Sequence, residues 1–94
     1  MPFPQQTPRL FTKQNVQALN LNQMGCYGLF KGNQWIYVGK GDIRDRLLAH
    51  LNGDNPCITR NIPTHWVDVV TNDYDAEEKR LILQLSPTCN QKVG

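Results

Sequence analysis

Four side chains in this sequence could carry chemistry if they met at one site: Tyr27, Tyr37, Arg46 and Glu78. A guanidinium binds phosphate oxygens through two parallel hydrogen bonds. A carboxylate withdrawn from water is costly unless it is paired, protonated or bound to a metal. If the fold brings these groups together, two phenols, a guanidinium and a carboxylate share one site.

Glu78 lies on the apolar face of the last predicted helix, which covers residues 75–85. Three aliphatic residues follow it on that face at helical spacing: Leu81, Ile82 and Leu85. A functional site is one common reason for a carboxylate to occupy such a position. A capping box is the alternative, because Asp75 and Glu78 have the spacing of an N-cap and the third helical residue.

A second helix is predicted over residues 42–51, with Asp42 as its N-cap and Gly53 as its terminator. Arg46 and His50 lie one helical turn apart on a flank of its apolar stripe. From that flank both side chains could reach over the edge of a sheet, where an arginine suits a phosphate. Alternatively both are solvated, and Arg46 pairs with Asp42 one turn earlier.

Gly39, Lys40 and Gly41 lie directly before this helix. Backbone N–H groups at a helix N-terminus favour an anion, and the two glycines would let a phosphate approach closely. A plain turn from strand to helix explains the same glycines. Asn90, far along the chain, is a turn residue in its simplest interpretation.

The tyrosines lie on a predicted β-hairpin with strands over residues 26–30 and 34–38. The register of the hairpin decides whether the phenols share a face. A two-residue loop places Tyr27 and Tyr37 on opposite faces, whereas a register centred on Gly32 pairs them on one face. A functional site requires the second register. Otherwise both tyrosines are packing residues whose hydroxyl groups reach solvent.

The other elements complete a small α+β chain. We predict a helix over about residues 12–21, a loop over 53–64 with a short turn, and a third strand over 65–71. The order helix, hairpin, helix, strand, helix indicates one domain over residues 11–94. The proline-rich residues 1–10 form an extended N-terminal arm.

Composition sets the class of the protein. A chain of 94 residues is expected to form one domain, and 39% apolar with 19% charged residues is ordinary for a globular one. We find no signal peptide and no apolar stretch that could span a membrane. Three widely spaced cysteines without a C-x-x-C motif predict neither a disulfide framework nor a zinc module, so we expect a reducing cytoplasm. The net charge of +2 mildly favours polyanionic partners.

Five short motifs follow one another across about residues 24–91. They are Gly25-Cys26-Tyr27, Tyr37-Val38-Gly39-Lys40, Arg46 with His50, Glu78 ahead of Leu81-Ile82, and Pro87-Thr88-Cys89-Asn90. This ordered set resembles the GIY-YIG nuclease family, with cysteine at the variable middle position of the first motif. The closing motifs are similar in spacing to those in the nuclease domain of the excision-repair incision subunit, which suggests DNA repair.

The resemblance implies a three-stranded antiparallel sheet flanked by helices, and a DNA endonuclease that hydrolyses phosphodiester bonds. It implies that Glu78 holds one Mg²⁺ or Mn²⁺. Arg46 would add positive charge to the same transition state. No small-molecule cofactor is expected.

The tyrosine roles also follow from the resemblance. Tyr27, helped by Lys40 or His50, would activate or position water, and Tyr37 would orient the phosphate. A phenol of normal pKa near 10 is a poor base, so nearby cations would have to lower its pKa. The expected substrate-binding residues are Gly39, Lys40, Gly41 and Asn90.

DNA is the expected partner, and no membrane is involved. Many members of the family carry a DNA-targeting domain that this chain lacks, so a separate targeting protein is a further expectation. The alternative is a catalytically inactive module of the same fold that binds nucleic acid or protein. A third possibility is a structural domain in which Glu78 only caps its helix.

Overall fold

The structure is a computed structural model that describes residues 3–90. Its strands are β1 (Arg9–Leu10), β2 (Met24–Lys31), β3 (Gln34–Asp42) and β4 (His65–Val70). Its helices are α1 (Lys13–Gln17), α2 (Ile43–Leu51), α3 (Pro56–Asn61) and α4 (Tyr74–Leu85), followed by a 3-10 turn over Thr88–Asn90. The strands form one antiparallel sheet in the order β1-β4-β2-β3, which confirms the α+β class. Residues 1–2 of the predicted arm and 91–94 of the predicted domain lie outside the described residues.

β1 makes the sheet four-stranded, where the sequence predicts three strands. Arg9 pairs with Trp66, and Leu10 pairs with His65, along the outer edge of β4. A strand of two residues is too short to show the alternation of side chains that reveals a strand in a sequence. The difference arises because β4 supplies the hydrogen-bonding edge that orders this segment.

Two described residues of the predicted arm, Phe3 and Gln6, contact the sheet. Phe3 is buried, and its ring stacks on Trp35 with the ring centroids 5.7 Å apart. The Gln6 side chain donates to the backbone oxygen of Asp68 at 2.7 Å and accepts from its N–H at 3.1 Å. Phe3 is therefore part of the core, and Gln6 is anchored to β4, through contacts with residues distant in the sequence.

The hairpin between β2 and β3 has the two-residue loop. Lys31 lies opposite Gln34, and Phe30 lies opposite Trp35. Gly32 has a φ of +59°, a left-handed conformation that glycine favours in such tight turns. Regular pairing beyond this point would place the two tyrosines on opposite faces of the sheet.

A β-bulge in β3 reverses that alternation. The register shifts after Leu29, which pairs with Tyr37, so that Ile36 is an extra residue in β3. Tyr37 therefore lies on the same face as Leu29 and Tyr27. The predicted direct pairing of the tyrosines is wrong, since Tyr27 pairs with Gly39, but the shared face that a site requires is present.

The two faces of the sheet bury separate apolar clusters. Helices α1, α2 and α3 cover the first face, whose buried residues are Val16, Tyr27, Leu29, Ile43, Leu47, Ile58 and Trp66. Helix α4 and the N-terminal segment cover the second, whose buried residues are Phe3, Cys26, Val38, Val67 and Leu81. Neighbouring strand residues such as Cys26 and Tyr27 fall in different clusters, as the pleat requires. The predicted site residues are consequently divided between the two sides of the sheet and its β3 edge.

Helix α2 agrees closely with its prediction, and α3 replaces part of a predicted loop. The Asp42 carboxylate accepts from the N–H of Asp45 at 3.1 Å, so Asp42 is the N-cap of α2. The Asn55 side chain accepts from the N–H of Cys57 at 3.0 Å and caps α3, which begins at Pro56.

Cys57 and Cys89 form a disulfide that joins α3 to the 3-10 turn, while Cys26 is buried and unpaired. The expectation that no disulfide forms is wrong, because wide spacing along the chain does not prevent contact in the fold. The cytoplasmic location, which depended on that expectation, stays a prediction. No helix among the described residues has both the length and the apolar character needed to cross a bilayer.

Replacing Cys57 with serine should lower the free energy of unfolding by about 3–4 kcal/mol. The disulfide links residues 32 positions apart, and a cross-link of that span restricts the unfolded chain by roughly this amount. Urea unfolding of the oxidised protein and the variant measures the difference. A reductant should bring the wild type to the stability of C57S and leave C57S unchanged. Equal stability of oxidised and reduced wild type would contradict the prediction.

Candidate active site

A chain of hydrogen bonds runs from the core to the surface beneath α2. The Tyr27 hydroxyl lies 2.7 Å from His50 Nε2, and His50 Nδ1 lies 2.8 Å from Asp54 Oδ1. Tyr27 is 0% exposed and His50 is buried, whereas the Asp54 side chain is 34% exposed. The other Asp54 oxygen lies 3.5 Å from Arg46 Nη2. The buried phenol and imidazole thus connect to a carboxylate at the surface.

The turn after α2 brings Asp54 back over the helix. Gly53 has a φ of +85°, in the left-handed region that favours glycine, and its N–H donates to His50 O at 3.1 Å. The N–H of Asp54 donates to Ala49 O at 3.2 Å. The sequence prediction places Arg46 and His50 correctly on one flank of α2 but misses Asp54. One signal in the sequence could have identified Asp54. It lies four residues after His50, the spacing of one helical turn, although the terminator Gly53 lies between them.

Arg46 pairs with Asp54 and not with Asp42. Asp42 is engaged as the N-cap of α2, so the predicted alternative for Arg46 is wrong. The guanidinium also acts on the Tyr27 hydroxyl, whose pKa it lowers. The Arg46 side chain is 44% exposed, so its interaction links the buried phenol to a group in contact with solvent.

Tyr37 is partly buried against the same group. Its ring centroid lies 6.3 Å from that of Tyr27 and 5.2 Å from that of His50. Burial raises the pKa of Tyr37, the Glu78 carboxylate raises it further, and Arg46 opposes both. Glu78 on α4 and Arg46 on α2 therefore both act electrostatically on this phenol.

Burial governs the protonation of the tyrosines. Burial, with a smaller contribution from Tyr37, raises the pKa of Tyr27 well above its usual value despite the Arg46 guanidinium. The expectation that neighbouring cations lower the tyrosine pKa is therefore wrong. Both phenols are neutral hydrogen-bond donors at neutral pH, so Tyr27 can accept a proton only if it first gives one to His50.

Gly39 and Gly41 are explained by the packing of site residues. A Cβ atom on Gly39 would overlap the Tyr27 hydroxyl and lie 2.8 Å from Tyr37 Cε2. Gly41 has a φ of +122°, which favours glycine, and its side-chain position faces Arg46 Cγ at 3.4 Å. The glycines let β3 approach the phenol and the arginine, so no phosphate is needed to account for them.

Asn90 holds the edge strand that carries Tyr37. Its side chain accepts from the N–H of Val38 at 2.7 Å and donates to the oxygen of Val38 at 2.9 Å. These two bonds imitate the pairing that a neighbouring strand would give to β3. Asn90 is therefore more than a turn residue, and it stabilises the strand next to Tyr37.

Glu78 is partly buried and forms an ion pair at the β3 edge. Its side chain is 21% exposed, and Oε1 lies 3.6 Å from Lys40 Nζ, which also bonds the Asp75 carboxylate. Helix α4 begins at Tyr74 with Asp73 at the N-cap position, so the predicted capping box between Asp75 and Glu78 is wrong. Lys40 points to these carboxylates and not to Tyr27.

A cation held by Glu78 would occupy an open site and not a cage of ligands. Among residues 3–90, no cluster of three or more histidine, cysteine and acidic side chains is placed to hold a metal ion. Mg²⁺ commonly binds through one or two carboxylates, with waters and phosphate completing its shell. Glu78 and Asp75 lie one turn apart on α4 and share Lys40, which fits that mode of binding.

No protein-family model and no curated protein matches this sequence. The resemblance to the GIY-YIG family therefore rests on the five sequence motifs alone. Tyr27, Tyr37, Arg46 and His50 interact on one face of the sheet, and Glu78 pairs with Lys40 at its edge.

Replacing Gly39 with alanine should lower the free energy of unfolding by about 1–3 kcal/mol, the usual cost of overpacking a core. The added methyl group would overlap the Tyr27 hydroxyl. The double variant G39A/Y27F should therefore be more stable than the sum of its single changes predicts. Urea unfolding of the four proteins measures this coupling, and strictly additive changes would rule out the overlap with the Tyr27 hydroxyl as the cause.

The stability of the fold should fall as the pH drops below about 6.5. Burial lowers the pKa of His50 from 6.5, and the Asp54 carboxylate only partly offsets it. At a pH between the His50 pKa of the folded protein and the value of 6.5 in the unfolded chain, the unfolded chain binds more protons than the folded one. The stability that the neutral His50 contributes is therefore complete above pH 6.5 and decreases as the pH falls below it. The groups that face His50 are Tyr27 from β2, Tyr37 from β3, Arg46 from α2 and Asp54 from the following turn.

Two measurements check this pH dependence. An NMR titration of His50 should give a pKa below 6.5. Urea unfolding at a series of pH values should show that His50→Gln loses this part of the decline. A His50 pKa above 6.5 in the folded protein would show that Asp54, and not burial, dominates.

Proposed function

We propose that this protein is a metal-dependent DNA endonuclease that hydrolyses phosphodiester bonds at a GIY-YIG-type site. In this proposal β2, β3 and β4 correspond to the three-stranded sheet of the family, and β1 is an addition. The observation that carries it is the bulge in β3, which brings Tyr37 to the face of Tyr27, His50 and Arg46. Without the bulge, regular pairing of β2 with β3 would place the two phenols on opposite faces of the sheet.

Arg46 is the residue suited to bind the scissile phosphate. Its guanidinium is partly exposed, and its contact with Asp54 is long at 3.5 Å, so it can turn to a phosphate without breaking a strong bond. That movement would release the Tyr27 hydroxyl from its interaction with Arg46. The positive charge of Arg46 would then stabilise the transition state.

Glu78 is the residue suited to hold one Mg²⁺ or Mn²⁺, with Asp75 beside it. When bound, the ion supplies positive charge that stabilises the leaving 3′ oxygen. Lys40 pairs with both carboxylates, and its partly exposed ammonium can move to the DNA backbone. Tyr37, on which the Glu78 carboxylate and Arg46 both act electrostatically, orients the phosphate by donating a hydrogen bond from its hydroxyl.

Proton transfer passes through Tyr27 to His50. Once released from Arg46, Tyr27 takes a proton from the attacking water and passes its own to His50 Nε2, 2.7 Å away. The water oxygen bonds to phosphorus, the bond from phosphorus to the 3′ oxygen breaks, and that oxygen takes a proton from solvent. Tyr27 is thus a proton carrier and not a permanent phenolate.

A non-catalytic module that binds nucleic acid is the second candidate. The complete burial of Tyr27 and the ion pair between Glu78 and Lys40 favour it, because both keep the proposed groups away from solvent. Such a module would bind DNA with an affinity that falls steeply with salt and would cleave none of it.

The proposed function predicts that nicking of supercoiled DNA requires Mg²⁺ or Mn²⁺ and stops when EDTA is added. Arg46→Ala should lower kcat by about 10²-fold or more, as removal of one transition-state donor does, and Glu78→Gln should abolish the metal-dependent activity. A panel of duplex, branched and single-stranded DNA identifies the preferred form. Arg44→Gln and Glu77→Gln remove the same charges from the same helices and should leave kcat unchanged.

Two outcomes would contradict the nuclease proposal. Equal residual cleavage in the Arg46 and Glu78 variants would indicate contamination or a different site. Salt-dependent binding of DNA without cleavage of any form would favour the non-catalytic module.

A further inference from the structure

We propose that Asp54 is a positioning residue that orients the His50 ring so that Nε2 accepts the proton of Tyr27. The catalytic part of this inference rests on the proposed nuclease function. The arrangement of the three side chains does not, because it can be observed in the protein without DNA or metal. Asp54 belongs to none of the five motifs, so the resemblance does not supply it.

The hydrogen-bond partners determine the tautomer of His50. An ionised carboxylate only accepts hydrogen bonds, so the 2.8 Å contact with Asp54 requires the proton on Nδ1. In a neutral ring Nε2 is then unprotonated and accepts from the Tyr27 hydroxyl at 2.7 Å. With the other tautomer Nδ1 would face a carboxylate without a proton, and Tyr27 could not donate to the ring.

Asp54 is well placed to hold this orientation. Its backbone N–H is fixed by Ala49 O at 3.2 Å, which anchors it to the last turn of α2. The aromatic rings of Tyr27 and Tyr37 also lie beside the His50 ring, at centroid distances of 5.6 and 5.2 Å. Neither tyrosine hydrogen-bonds Nδ1, which pairs with Asp54.

Asp54 also supplies the charge that the transferred proton requires. When His50 accepts the proton of Tyr27, a positive imidazolium forms at a side chain that is 1% exposed. An isolated buried cation is costly, and a hydrogen-bonded carboxylate offsets that cost. Asp54 would orient the imidazole and stabilise the imidazolium, as the aspartate does in a serine–histidine–aspartate triad.

The same carboxylate contacts Arg46 through its second oxygen at 3.5 Å. When Arg46 turns to a phosphate, Asp54 loses the longer contact and keeps the shorter one to His50. Its negative charge is then directed to the imidazole at the stage when the proton moves. Binding of the phosphate therefore prepares the acceptor.

The first experiment measures the ring nitrogens of His50 by ¹⁵N NMR in the wild type and in Asp54→Asn, without DNA or metal. The wild type should carry its proton on Nδ1, and Asp54→Asn should shift the population towards Nε2–H. Asp45→Asn removes a carboxylate from α2, the helix that carries His50, and should leave the His50 signals unchanged. Far-UV and near-UV circular dichroism verify that each variant is folded.

The second experiment measures cleavage of supercoiled DNA with Mg²⁺ as a function of pH. Asp54→Asn should lower kcat by about 10²-fold or more, the contribution of a positioned acid or base, with KM changed by less than about threefold. Asp54→Glu should restore part of kcat, because it keeps the carboxylate. The pH profile of Asp54→Asn should lose the limb that His50 contributes.

The outcomes separate this inference from the proposed function. An Nδ1–H tautomer that depends on Asp54, in a protein that cleaves no DNA, would support the arrangement and overturn the nuclease proposal. Cleavage by the wild type with His50 protonated on Nε2 would overturn the inference and leave the nuclease proposal standing. Unchanged kcat and unchanged ¹⁵N signals in Asp54→Asn would overturn the inference as well.

Discussion

The bulge in β3 is the constraint on which the rest of the site depends. Side chains alternate along a strand, so a single extra residue at Ile36 moves Tyr37 from the α4 side of the sheet to the α2 side. There its ring meets His50, while Val38 turns to the opposite cluster. β3 is an edge strand, where bulges are readily accommodated, and Asn90 replaces the missing neighbour at Val38.

Burial then decides what the grouped side chains can do. Tyr27 and His50 are both withdrawn from water, and desolvation raises the pKa of the phenol and lowers that of the imidazole. Both groups are therefore neutral, and each satisfies the other through one hydrogen bond. Asp54 and Arg46, at the solvent side of this pair, hold the charges that water can still stabilise. The site is a neutral interior beneath a charged rim.

Helix α2 was predictable because its signals are local. The Asp42 cap, the apolar stripe and the shared flank of Arg46 and His50 all follow from neighbours within a few turns. Asp54 was missed because it reaches His50 through the conformation of the turn at Gly53. The disulfide, the β1 strand and the buried Phe3 were missed for a related reason, since each depends on a partner far along the chain.

Periodicity and capping are properties of consecutive residues, and they sufficed to identify the hairpin, the two longer helices and the polar residues worth testing. They could not assign Glu78, because a carboxylate on an apolar stripe looks the same whether it caps its helix or pairs with Lys40. Nor could they assign the face of Tyr37, since a shift of one residue exchanges the two faces of a strand and leaves its composition unchanged. Contacts across the sheet select the register and the partner, and these exist only once the chain has folded.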